Sequence, residues 1–238
     1  MTLVNKVIQR RYWFKATISC TRDSLIHNLK QHGFIDGRES GFLFDSISDT
    51  IIAGRYIRRK LLKREFADPF GNTETDERIV YETIRFKLLG NEVDTLELLN
   101  PNNNIKVFLN ELNECTEFNL SISKHKASLS TIIAALIDKG FEFKSFKELE
   151  LADITFTPKI SGKMILKGNI DFSNYFTDIN LSIAKHKIKR LKADVEFKGF
   201  KDSIELHEGK YTTTEKFSVL IHRAYYESLL NIDKSSNK

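Results

Sequence analysis

The pentapeptide Asp68-Pro69-Phe70-Gly71-Asn72 lies between two long stretches rich in apolar and charged residues, and it limits the fold more than any other segment. Each residue type in it favours chain reversal for a different physical reason, so a turn is expected there. Beyond it Val80, Ile84, Phe86 and Leu88 alternate with Glu82, Arg85 and Lys87, the pattern of a half-buried strand. Before it, Phe42 to Phe66 fits neither period: the apolar residues scatter around a helical wheel, and along a strand they change face near Arg59. A bent or bulged strand is expected, and with the alternating segment it makes a long hairpin.

A second pattern occurs twice. Tyr12 to Cys20 reads as a strand, Thr21 as a helix cap, Leu25, Ile26 and Leu29 as a helix face, and Gly33-Phe34 as its stop. Phe118 to Ser123, a cap at Ser128 or Ser130, then Leu129, Ile132, Ile133, Leu136 and Ile137, and Gly140-Phe141 repeat the order. Between them lie a strand at Thr95 to Leu99 and a helix capped by Asn104, with Ile105, Phe108, Leu109 and Leu112 on one face.

Strands dominate the remainder, at Asp153 to Thr157, Met164 to Lys167, Leu191 to Phe197 and Ser203 to His207. A closing helix, capped by Thr213 or Thr214, carries Phe217, Leu220, Ile221, Ala224, Tyr225 and Leu229. The expected class is α+β: antiparallel sheets with three to four helices packed on them, in two loosely similar β-α-β halves. Residues 1–232 are expected to form one compact domain, with sub-halves 1–115 and 116–232, and 233–238 a frayed polar tail.

Cys20 and Cys115 are the only cysteines, too few for a disulfide framework or a metal knuckle, which points to free thiols in a reducing compartment. No apolar run is long enough for a signal peptide or a membrane span, so a cytoplasmic protein without membrane contact is expected. The 37 Lys and Arg exceed the 32 Asp and Glu by only five charges, which matters if the cations cluster.

They do cluster. Arg55, Arg58, Arg59, Lys60, Lys63 and Arg64 place six cations in ten residues with no acid among them, and Arg85 and Lys87 lie on the expected partner strand. On an extended arm, with Tyr56 and Phe66 interspersed, such a row suits a phosphate backbone and exposed bases, DNA or RNA, with little sequence preference. The same row would also serve to block edge-to-edge pairing, or to dock an acidic protein partner or a second copy of the chain.

Asn119-Leu120-Ser121-Ile122-Ser123-Lys124-His125-Lys126 and Asn180-Leu181-Ser182-Ile183-Ala184-Lys185-His186-Lys187 match at every place but one. Both read as strands ending in Lys-His-Lys. With Lys189 and Arg190 the lysines Lys124, Lys126, Lys185 and Lys187 form a second expected phosphate contact, to which protonated imidazoles would donate.

Chemistry has weaker support. Glu196-Phe197-Lys198 on a strand, with Asp171 or Asp178 as a second ligand, would suit a Mg-dependent nuclease, yet Glu142-Phe143-Lys144 repeats the triplet and simple alternation explains it. Histidine spacing suggests no zinc site, no glycine-rich nucleotide motif or serine elbow occurs, and no cofactor, metal site or catalytic residue is expected.

Overall fold

The computed structural model describes residues 7–71, 73–91, 94–101, 104–125, 128–157, 160–171 and 187–235. The chain is mostly β, with four helices among these residues and a large antiparallel sheet. It divides into two compact units, one of residues 13–123 and one of residues 1–12 and 124–238.

In the 13–123 unit, strand β1 (Ile8–Ile18) supplies its second half, followed by helix α1 (Arg22–Gln31), β2 (Ser40–Ile47), β3 (Ile51–Ala67), β4 (Thr73–Leu89), β5 (Thr95–Leu99), helix α2 (Ile105–Cys115) and most of β6 (Leu120–Lys124). The strand order is β2-β3-β4-β5-β1, with β6 also on β1. Thr21 caps α1 as expected, accepting from the Ser24 amide at 3.2 Å, and Leu25 and Leu29 are buried. Asn104 does not cap α2 with its side chain; its Nδ2 donates instead to Glu82 Oε2 of β4 at 2.5 Å.

The segment 42–66 is two strands. The chain reverses at Ser48–Thr50, where the Ser48 amide bonds the Ile51 carbonyl, and β2 carries a bulge between Phe44 and Ser46. One extra residue on a strand flips the facing of all that follow, so neither period fits across the segment. The hairpin itself forms as expected: all seventeen residues of β3 pair antiparallel with β4.

The core of this unit is aromatic. Phe42, Tyr56, Phe86 and Phe108 have ring centroids 5.5–6.5 Å apart and all are buried. Cys115 is buried at the end of α2, and burial, reinforced by Glu111 and Glu114, pushes its thiol up to about 11. Both cysteines are free thiols.

The other unit takes the first half of β1, then α3 (Leu129–Asp138), β7 (Glu142–Thr157), β8 (Ile160–Asp171), β9 (Lys187–Phe197), β10 (Phe200–His207), β11 (Lys210–Thr214) and α4 (Glu215–Ser235). The order is β1-β11-β10-β9-β7-β8. Ser128 is the cap of α3, accepting from the Thr131 amide, and Thr214 is the cap of α4. Asp202 accepts from both the amide and the hydroxyl of Thr214, fixing that helix start to β10.

Helices α3 and α4 are clamped at the surface. Glu227 of α4 accepts from Lys139 at 2.5 Å and from Arg223 at 2.7 Å, and these two cations hold its carboxyl down at about 2. A carboxyl depressed in the fold stabilises it above the unfolded value, near 4.5, and ceases to do so as pH falls through about 2. The thermal midpoint of the wild type is therefore expected to exceed that of Glu227→Gln at neutral pH. Melting curves should show that advantage shrinking below pH 4.5 and gone near pH 2; a constant difference would refute the clamp.

Candidate nucleic-acid interface

Pairing of β3 with β2 stops at Arg58, and pairing of β4 with β5 stops at Arg85. Apart from the Arg59 amide, which donates to the Glu39 carbonyl at 2.6 Å, residues 59–67 and 73–81 thus pair only with each other among the described residues, as a two-stranded arm. At ~3.4 Å per residue, nine residues make an arm ~30 Å long.

Strand parity divides the cations. Arg55, Arg59 and Lys63 share one face with Arg85 and Lys87, while Arg58, Lys60 and Arg64 lie on the other. The first face at the root is the denser: Arg55 stands directly across from Arg85, and Lys87 lies two residues further on.

Acids absent from β3 arrive from its neighbours. Arg55 Nε meets Asp45 Oδ1 of β2 at 3.1 Å, Lys60 meets Glu82 at 3.6 Å and Lys63 meets Glu77 at 2.5 Å. Arg64 faces Asp76 and Arg58 faces Glu82 in the register. Read alone, β3 is a run of positive charge; paired with β4, its outer half is a ladder of alternating sign. Arg58, Arg59, Arg64, Arg85 and Lys87 make no ion pair among the described residues.

The aromatic partners differ from expectation. Tyr56 is 2% exposed, and its hydroxyl donates to Glu111 Oε1 at 2.7 Å, so it belongs to the core and is closed to a base. Burial, with Glu111 adding to it, raises its ionisation well above the ordinary phenol range. Phe66 is exposed, on the face of Arg64. The ring that accompanies Arg59 and Arg85 is Tyr81, 59% exposed and directly across from Arg59. Its place on the outer face follows only from the register, which the linear sequence does not display.

The Lys-His-Lys segments lie in the other unit or at its boundary. Lys124 is exposed at the end of β6, while Lys126 and Lys185 fall outside the described residues. His125 is 6% exposed, which removes its imidazole from the expected phosphate contact. Lys187 and Lys189 both reach Glu208, at 3.0 and 3.6 Å, and Arg190 lies between Glu205 at 2.9 Å and Glu148 at 3.0 Å. Glu205 also takes His207 Nε2 at 2.7 Å, and burial of that ring lowers its affinity for a proton.

Glu196 lies between Lys144 at 3.7 Å and Lys201 at 3.5 Å, directly across from Glu142. Lys198 turns away over the Phe197 ring, in a turn with φ of 50°. Asp171 ends β8 opposite Ser145, and Asp178 falls outside the described residues. Among the described residues no three His, Cys, Asp or Glu side chains come together as a metal site. No helix among them is long and apolar enough to cross a membrane. No family model and no curated protein matches the sequence.

Proposed function

We propose that the protein is a nucleic-acid-binding subunit or accessory factor that grips the phosphate backbone through the root of its β-arm, without chemistry of its own and with low sequence preference. The observation that carries this is the face holding Arg55, Arg59, Arg85 and Lys87. Two arginines directly across a strand pair repel one another, so the sheet is less stable for having them there. An anion laid over that face relieves the repulsion, and exposed Tyr81 beside it offers a surface for base stacking. Lys124, Lys126, Lys185, Lys187, Lys189 and Arg190 form the secondary contact of this reading, in a cytoplasmic setting.

Fluorescence anisotropy against duplex DNA, single-stranded DNA and RNA tests it. About four phosphate contacts predict a roughly hundred-fold weakening between 50 and 200 mM salt. Arg59→Glu with Arg85→Glu should abolish binding with the circular dichroism spectrum unchanged. No binding to any of the three at low salt would sink the proposal.

A second reading, an adaptor that docks a protein partner through the same hairpin, is favoured by Leu61, Phe66, Phe70 and Ile79, all exposed on the arm, and by its two free strand edges. A partner that still co-purifies after nuclease treatment would separate it from the first.

The same reading takes the halves as loosely similar β-α-β units of one domain. In its support, Thr21 and Ser128 each cap their helix at 3.2 Å, and Gly33-Phe34 and Gly140-Phe141 follow those helices in turn.

A further inference from the structure

The arm is electrically two-ended. Its root, residues 55–60 and 81–87, holds six cations and one acid, whereas its outer part, residues 61–80, holds three cations and five acids. Among the outer acids, Glu65, Glu74 and Asp76 form no ion pair among the described residues. Along the middle, Leu61 faces Ile79 across the hairpin with 49% and 45% of their surfaces exposed, and Phe70 in the turn is 90% exposed. Both edges of the arm carry backbone groups without a strand partner among the described residues. A two-stranded ribbon on its own is barely stable in water.

An acidic outer part suits neither end of a nucleic-acid duplex contact, since its carboxylates would meet phosphates. It suits a basic, extended surface bordered by apolar residues left uncovered. The root of the same arm is such a surface.

We propose that the arms of two copies of this chain lie antiparallel about a two-fold axis, the acidic outer part of each against the basic root of the other. Antiparallel alignment is the one orientation that sets opposite charges against each other along the whole arm; parallel alignment sets like against like. A two-fold contact is self-complementary by symmetry and closes after two copies. It brings the Leu61 and Ile79 pairs of the two arms together at the centre. Residues 55–87 carry nine cations against six acids, so the joined arms stay positive. The inference goes beyond the nucleic-acid reading and does not rest on it.

Sedimentation velocity across a range of protein concentrations, at ionic strengths of about 0.05 M and about 0.5 M, tests it directly. The wild type should dimerise at low salt and weaken at high salt. Two charge-reversed proteins, one carrying Glu65→Lys and Glu77→Lys and the other Arg59→Glu, Arg85→Glu and Lys87→Glu, all on one face of the arm, should each dimerise about ten-fold or more weakly. Mixed in equal amounts they should form a heterodimer, because each reversed end then meets its opposite. The substituted side chains are exposed, and circular dichroism confirms that both variants fold. A wild type that stays monomeric, variants that dimerise as the wild type does, or a mixture that stays monomeric would each overturn the proposal. A wild type that dimerises but binds no nucleic acid at low salt would count against the nucleic-acid reading alone.

Discussion

Phe108→Ala should lower unfolding stability by about 3–5 kcal/mol, the largest single-residue effect expected in the 13–123 unit. Phe108 is fully buried, with ring centroids at 5.5 Å from Tyr56, 5.7 Å from Phe86 and 6.5 Å from Phe42. Truncation leaves a cavity lined by three rings, which strand pairing holds in place on β2, β3 and β4, so the site cannot collapse to fill it. Helix α2 also bonds the hairpin through Glu111 to Tyr56 and through Asn104 to Glu82, and these contacts loosen once its anchor is gone. Urea denaturation measures the loss. A cost below about 1 kcal/mol would mean that α2 is held by something other than this cluster.

Gly54→Val is expected to cost about 3 kcal/mol, at the upper end of what overpacking does. Gly54 lies on β3 opposite Phe44 and Phe86, one residue before Arg55. A Cβ there would stand 2.4 Å from the Leu43 carbonyl oxygen and 3.2 Å from Phe86 Cζ. The first contact is with backbone, so relief requires β2 to move off β3. Such a shift also pulls Asp45 from Arg55, leaving the root of the arm more positive. Two readouts should therefore move together: the urea midpoint falls, and any nucleic acid that binds the root binds more tightly per folded molecule. A midpoint within experimental error of wild type would show that β2 accommodates the side chain.

Several elements were legible because local rules decide them. The turn from Asp68 to Gly71, the Thr21 and Ser128 caps and the Gly140-Phe141 stop depend on residues within one turn of each other. Strand β7 shows where that fails. Its buried residues Phe143, Phe146, Leu149, Leu151 and Ile154 recur mostly at intervals of three, nearer a helix than a strand, so only its last few residues were expected as strand. Register shifts at Phe143/Ser145, Phe146/Glu148 and Leu151/Ile154 account for the interval, because each added residue restores the inward face.

The candidate site was half legible for a related reason. The six cations of β3 are visible in order along the chain, but Glu77 and Glu82 neutralise Lys63 and Lys60 from fourteen and twenty-two residues away. Only the register reveals that, and the same register buries Tyr56 and exposes Tyr81. Alternation alone assigns two faces to a strand without saying which one meets the helices.

Strand β1 is divided between the units near its middle: Ile8 to Tyr12 pair with β11, while Ala16 donates to Asp94 beside β5. In time, this makes it a strand synthesised early in the described chain and completed late. The 13–123 unit has its whole chain available long before Lys210–Thr214 emerge, about two hundred residues after Tyr12. At about 5–20 residues per second the waiting period is roughly 10–40 s. Throughout it, Ile8 to Tyr12 lack the β11 strand that pairs with them in the finished fold. Any factor that shields a nascent strand would act on this protein during that interval and at those residues.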